Sequence, residues 1–209
     1  MKSSRPFLQR LPHYLAYLKT YPKDRISSRE LAQALGLGEV LVRKDLAAVS
    51  NGGQRKIGHC CERLIYDIEH FLDFDNLTDA VLVGAGNLGQ ALLGYSGFEH
   101  SGVKIISAFD TAVTSRRKVK GKPLYPMSRL YWYCRQNQIR LGIIAVPSNQ
   151  AQAVCDELIE AGVMAIWNFT PIHLRVSDDV LIRNENLEAS LAALRVRLEA
   201  RCKEHSYVG

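Results

Sequence analysis

The stretch "DAVLVGAGNLGQALLGY", Asp79 to Tyr95, constrains this chain's fold more than any other part of it. It reads as a short buried strand, a glycine turn and the start of a helix. Gly84, Gly86 and Gly89 form G-x-G-x-x-G. The first glycine permits the tight turn, the second lets a pyrophosphate approach the backbone, and the third lets helix and strand pack closely. Phosphates placed there meet free amides at the positive end of the helix, in the stretch that also holds Ala85, Asn87 and Leu88.

The motif is weak alone, and its context strengthens it. Strand "VKIISAFD" ends at Asp110, 21 residues after Gly89. A carboxylate is expected there to bond the adenosine ribose 2′-hydroxyl. It favours NAD over NADP, because it would repel a 2′-phosphate. Arg116, Arg117 and Lys118 can be read two ways, as acceptors of that phosphate or as a solvated loop. Beyond them, "SRLYWYCRQNQ" is a helix, "LGIIAVP" a buried strand, "NQAQAVCDELIEAG" a helix and "VMAIWNF" a strand. Such alternation implies a parallel sheet covered on both faces. Ligands bind these sheets at the carboxyl ends of the strands, which puts Val146, Pro147, Asn168, Phe169, Thr170 and Pro171 at the cofactor crevice.

Residues before Asn76 have a different, helical character. Leu11, Tyr14, Leu15 and Leu18 recur at helical spacing and make one apolar stripe. Ser27 and Glu30 have capping-box spacing, so a helix "SRELAQAL" is expected to start beside Ser28. "GLG" then turns the chain into "EVLVRKDLAAV", a second helix with Arg43 and Lys44 on its exposed face. Two helices joined by a tight turn have the form of a helix-turn-helix. A helix fits the major groove, Arg forks onto guanine and Lys neutralises phosphate, while Ser28 can touch a phosphate. "NGGQRKIG" favours a hairpin turn. Arg55 and Lys56 at its tip make a wing that reaches a minor groove. A solvated helical hairpin is the plain alternative. In "CERLIYDIEHFLDFDN", Leu64, Ile65, Ile68, Phe71 and Leu72 mark the inner face of a further helix.

Composition removes several classes. Net charge of +6 permits nucleic-acid binding without requiring it. No apolar run approaches the roughly 20 residues of a membrane span, and the first residues lack a signal peptide's apolar core. Five cysteines without regular spacing suit a reducing cytoplasm. His59, Cys60 and Cys61 are consecutive, so their side chains diverge and no metal site is expected.

The chain resembles the Rex family of bacterial transcriptional repressors that sense the NADH/NAD⁺ balance. The resemblance rests on "QRLPHYLAYL", "VRKDL", "VGAGNLGQALLGYSGF", "AFD", "AVPSNQAQ" and "NFTP", in that order over nearly the whole chain. It implies an α/β architecture with a winged helix-turn-helix domain (1–76), a Rossmann-type NAD(H)-binding domain (77–184) and a C-terminal helix (185–209) exchanged between dimer partners. It further implies a homodimer on double-stranded operator DNA, released when NADH binds. Leu187, Leu191, Leu194 and Leu198 fall on one stripe suited to burial against another chain. Carried over by motif, Tyr95 lies near the nicotinamide, and Arg10, Tyr95 and Asn186 form the switch.

Three positions depart from the family pattern. "AAVSNGG" replaces an aromatic-containing stretch after "RKDL", His59 stands in place of a tyrosine, and Asn186 in place of an aspartate. Glu185 next door carries the charge that Asn186 lacks. A Rex-like paralogue with altered DNA or ligand response is therefore an alternative within the family. Outside it stand an NAD(P)-dependent oxidoreductase and a CoA or nucleotide-binding module. The oxidoreductase lacks an evident acid–base relay around its one candidate, His173.

Overall fold

The computed structural model describes residues 5–53 and 57–206. The chain divides into two compact units, Met1–Asn76 and Leu77–Gly209.

The first unit is built from helices α1 (Arg5–Thr20), α2 (Ser28–Ala34), α3 (Glu39–Val49) and α4 (Cys61–Phe71), with two short antiparallel strands, β1 (Arg25–Ile26) and β2 (His59–Cys60). The apolar stripe of α1 is the reason these helices collapse together. Leu11, Tyr14, Leu15 and Leu18 are buried against Leu31 of α2, Val42 and Leu46 of α3, and Leu64 and Ile68 of α4. Ser27 and Glu30 close both halves of the capping box: the Ser27 hydroxyl accepts from the Glu30 amide, and the Glu30 carboxylate accepts from the Ser27 amide. Hydrogen bonds from the Ser27 amide and hydroxyl hold the Glu30 carboxyl down at about 2. Phe71 departs from its expected inward place. It is exposed and meets Phe7 edge-on at 5.7 Å, because α4 ends there and its last turn passes the edge of the core.

Gly58 closes the wing onto β1. Its φ is +80°, and a Cβ there would stand 2.5 Å from the Ile26 carbonyl oxygen. Gly58→Ala is expected to destabilise this unit by about 1–3 kcal/mol, the usual cost of a strained left-handed residue. The denaturant midpoint checks it. An unchanged midpoint would mean that the β1–β2 pairing does not need this backbone conformation.

The second unit is a seven-stranded sheet in the order β5-β6-β4-β3-β7-β8-β9. Its strands are β3 (Thr78–Val83), β4 (Val103–Asp110), β5 (Arg117–Val119), β6 (Lys122–Pro126), β7 (Leu141–Ile144), β8 (Ala165–Asn168) and β9 (Leu181–Asn184). Helices α5 (Asn87–Gly94), α6 (Leu130–Gln136), α7 (Ser148–Glu160) and α8 (Leu187–Ser206) complete it. Both faces of β3 are covered. Val81 and Val83 enter one core with Phe109, Ile144 and Leu158, whereas Ala80 and Leu82 enter another with Ala108, Leu93 and Ile143. A two-residue alternation buried on both sides is what makes "AVLV" a continuous apolar run.

Three strands of this sheet, β5, β6 and β9, went unread in the sequence. β5 and β6 form an antiparallel hairpin at one edge of an otherwise parallel sheet, so Arg117 and Lys118 belong to an edge strand instead of a loop. Cations on an edge strand discourage pairing with other chains. β9 extends the opposite edge beside β8. Among the described residues, no helix is long and apolar enough to cross a membrane.

Candidate functional site

The chain runs from β3 outward to β4, then crosses through α6 to β7 on the other side of β3. This reversal opens a crevice at the carboxyl ends of β3, β4 and β7, the place where open α/β sheets bind ligands. A cavity of about 280 Å³ lies there, lined by Gly84, Gly86, Asp110, Val146 and Pro147, together with Val83, Thr111, Met127, Ala145, Gln150 and Val154.

The three glycines do three different things. Gly84 has φ of +99°, and a Cβ would press on the Ala145 carbonyl oxygen. Gly89 lies buried in α5 against the Gly84 carbonyl, so closely that a Cβ would overlap it. A Cβ on Gly86 meets no protein atom within 4 Å. That open space fronts the first turn of α5, whose N-cap is Gly86 and which has no side-chain cap. Ala85 is buried, while Asn87 and Leu88 are exposed on the first turn. The Ala85 amide donates to Asp110 Oδ2 at 2.7 Å, and the Ala112 amide to Oδ1 at 2.8 Å. Each carboxylate oxygen has two lone pairs, so Asp110 braces the turn and keeps accepting capacity at the crevice.

The end of β8 behaves differently from the expectation. Asn168 is fully buried, and its side chain turns into the protein. Its amide nitrogen donates to the Ile172 carbonyl and Asn184 Oδ1, and its oxygen accepts from the Thr170 amide and hydroxyl. Asn168 and Thr170 therefore knit the turn after β8 and do not line the crevice. Pro171 is exposed and lines neither the crevice nor its neighbour. Phe169 instead joins an aromatic chain, Tyr95–Phe98–Trp167–Phe169, with ring centroids 4.8, 5.2 and 4.6 Å apart. These rings line a second, apolar groove of about 550 Å³ with Ala91, Leu92, Glu185 and Leu187. Of the crevice residues that sequence reasoning missed, Met127 follows the unread strand β6, Thr111 follows the end of β4, and Gln150 lies in the first turn of α7.

In the first unit, Arg43 and Ser28 line a broad groove of about 690 Å³ between α2, α3 and the wing, together with Ser27, Arg29, Ser50 and His59. Lys44 is exposed beside Arg43, and Ser28 is half-buried at the first turn of α2. Arg55 and Lys56 lie outside the described residues. His59 Nδ1 is buried without a hydrogen-bond partner among the described residues, and burial lowers the imidazole's pKa against the raising effect of Asp67. Burial likewise raises the Cys61 thiol. Among the described residues no group of three or more His, Cys, Asp or Glu side chains is placed to hold a metal ion.

The three residues expected to form a switch have separate partners. Arg10 donates to both oxygens of Asp45, Nε to Oδ2 at 2.7 Å and Nη2 to Oδ1 at 2.9 Å. Tyr95 is exposed and packs edge-on against Phe98. Asn186 caps α8, its Oδ1 accepting from the Ala189 amide at 2.8 Å. Glu185 accepts from Arg183 Nε at 2.8 Å and from the Trp167 indole at 3.4 Å. The leucine stripe of α8 (Leu187, Leu191, Leu194, Leu198) is solvent-exposed within the single chain.

Residues 75–172 match a family described as "CoA binding domain", and residues 2–47 match one described as "Putative DNA-binding protein N-terminus". Over 95% of its length the chain is 36% identical to a redox-sensing transcriptional repressor Rex of Porphyromonas gingivalis, covering 93% of that protein. It is 39% identical to a Rex repressor of Clostridium beijerinckii over 90% of each chain. The fold superposes on a crystal structure of RSP in complex with β-NAD⁺ and operator DNA with a TM-score of 0.87 and 33% identity, covering 100% of this chain and 98% of that one. RSP in complex with β-NADH matches with a TM-score of 0.86 and 32% identity, over 99% of each chain.

Proposed function

The chain belongs to the Rex family of redox-sensing transcriptional repressors, and from that premise we propose that it binds operator DNA as a homodimer and releases it when NADH binds. Rex proteins are regulators of transcription, not enzymes. The observation that carries the reading is the crevice, where an open glycine and the uncapped amides of α5 stand beside a carboxylate at the end of β4. Free amides at a helix start bind phosphate, and the carboxylate suits a ribose hydroxyl. CoA and NAD(H) share an adenosine diphosphate, so the match to a CoA binding domain fits the same half of the ligand.

In this reading the turn shaped by Gly84, Gly86 and Gly89 holds the pyrophosphate, with Ala85, Asn87 and Leu88 in the same turn. Asp110 holds the adenosine ribose, and Val146 and Pro147 wall the crevice. Tyr95 and the apolar groove beside it receive the nicotinamide, whose redox state is the signal. Ser28, Arg43, Lys44, Arg55 and Lys56 face duplex DNA. Residues 1–76 form the reading domain and 77–184 the sensing domain. Residues 185–209 bury their leucine stripe on a second copy of the chain, and the protein works in the cytoplasm.

Calorimetry with NADH, NAD⁺ and NADPH tests the cofactor. NADH is expected to bind more tightly than NADPH, because Asp110 repels a 2′-phosphate. The nearest cation in sequence, Arg116, is held over the Tyr125 ring at 5.6 Å. Tighter binding of NADPH would overturn the role of Asp110. Selection of bound sequences from random duplex DNA, with and without NADH, tests the regulator.

A second expectation concerns Asn186. Asn and Asp are comparable N-caps, so Asn186→Asp adds a charge without disturbing the start of α8. A charge-assisted bond is roughly twice as strong as a neutral one, and a ligand shifts an equilibrium only by its differential affinity. NADH is therefore expected to weaken operator binding by a larger factor in Asn186→Asp than in the wild type. Equal factors in DNA titrations would show that the neutral residue is no handicap.

A further inference from the structure

Helix α3 turns Asp45 inward beside Val42 and Leu46, while Arg43 and Lys44 face outward. Successive residues of a helix advance by about 100°, so Arg43 points about 160° away from Asp45 and Lys44 about 100° away. Whatever fixes the azimuth of Asp45 therefore fixes where both cations point.

Three hydrogen bonds fix it. The Arg10 fork grips both carboxylate oxygens at 2.7 and 2.9 Å, and the Tyr14 hydroxyl donates to Oδ2 at 2.6 Å. Arg10 and Tyr14 lie one turn apart on α1, and Asp45 is only 5% exposed. The bond to Asp45 raises the Arg10 pKa, and burial together with the same carboxylate pushes Tyr14 up to about 12. Apolar contacts of Val42 and Leu46 are non-directional, so they decide which face of α3 is buried but define its azimuth less sharply than a directional bond. A bidentate arginine–carboxylate pair is directional. Buried ion pairs contribute little net stability compared with well-packed apolar residues, so stability alone is a poor account of this one.

We propose that Arg10 and Tyr14, acting through Asp45, are positioning residues that set the rotational phase of the reading helix α3. The proposal rests on the reading of α3 as the DNA reader. It makes α1 the element through which α3 is aimed. If Arg10 is drawn off Asp45, a buried carboxylate loses its counter-charge, and α3 must follow α1 or lose its register with the bases.

Two variants test this in the full-length chain without nucleotide. Arg10→Gln removes the charge and the fork. The double substitution Arg10→Met with Asp45→Leu replaces the pair by apolar groups, a swap that folded proteins commonly tolerate. Each is measured for thermal midpoint, for affinity to the duplex that the wild type selects, and for affinity to a scrambled duplex across a salt series. The operator-to-scrambled ratio is expected to fall about tenfold or more, the scale of one lost base contact. Scrambled-DNA affinity and its salt slope should stay close to wild type, because phosphate neutralisation does not depend on helix phase. A merely structural pair would lower the midpoint and leave the ratio alone. Arg10→Gln decides the matter if the double variant fails to fold. An unchanged ratio in folded Arg10→Gln overturns the proposal while leaving the repressor reading intact. A wild type that selects no sequence at all overturns the reading of α3 itself, and this proposal with it.

Discussion

Gly86→Val is expected to leave the sensing unit folded and to abolish NADH binding. The backbone at Gly86 has φ of −69° and ψ of −168°, which any residue adopts, and a Cβ there touches no protein atom. The valine side chain would occupy the space in front of the first turn of α5, where the pyrophosphate is proposed to lie. Loss of two charged amide–phosphate bonds at about 1.5–3 kcal/mol each weakens binding by at least about a hundredfold. Calorimetry reads the affinity, and thermal unfolding confirms the fold. Gly89→Ala is the informative contrast, because its Cβ would overlap the Gly84 carbonyl and force α5 off β3. It is expected to unfold the unit, so the two glycines separate ligand space from packing. NADH affinity within tenfold of wild type in folded Gly86→Val would remove the pyrophosphate from this turn.

Arg43→Ala carries the second large effect. Arg43 is exposed on α3 and lines the broad groove that also reaches Ser28 and the wing residue His59. Losing an arginine that forks onto a base costs about 1–3 kcal/mol, which is roughly fivefold to 150-fold in affinity, and relaxes selectivity at that base. Lys44→Ala is expected to weaken all sequences alike and to reduce the salt slope by about one. Electrophoretic or fluorescence titrations of selected and scrambled duplexes across a salt series distinguish the two. If both variants bind the selected site as the wild type does, α3 is not the reader.

Much of the fold was legible because it depends on neighbours in sequence. The stripe Leu11–Tyr14–Leu15–Leu18 gave α1 its buried face, Ser27 and Glu30 marked the start of α2, and the glycine spacing announced the strand–turn–helix at Gly84 to Gly89. Asp110 stood at the end of β4 as its separation from Gly89 implied. The stripe, the cap and the turn each act within a few residues along the backbone, and the spacing to Asp110 lies within one strand–helix–strand unit.

What escaped depends on partners far away in the chain. "RRKV" looked like a loop because nothing local distinguishes a solvated run from an edge strand; its pairing with Lys122–Pro126 makes the difference. Asn168 and Thr170 sat at a strand end, where a ligand-lining role is natural, but Asn184 and Ile172 draw the Asn168 side chain inward. Asp45 lay in a motif read for its cations, and its own role emerged only when α1 brought Arg10, 35 residues earlier, against it. Sequence alone determined the principal helices, the central strands, the glycine turn and the family, because local backbone preferences and apolar periodicity set these. Tertiary structure decided which polar side chains face a ligand and which face the protein. A buried polar group must find a hydrogen-bond partner, and the partner is supplied by whichever distant segment the fold packs beside it.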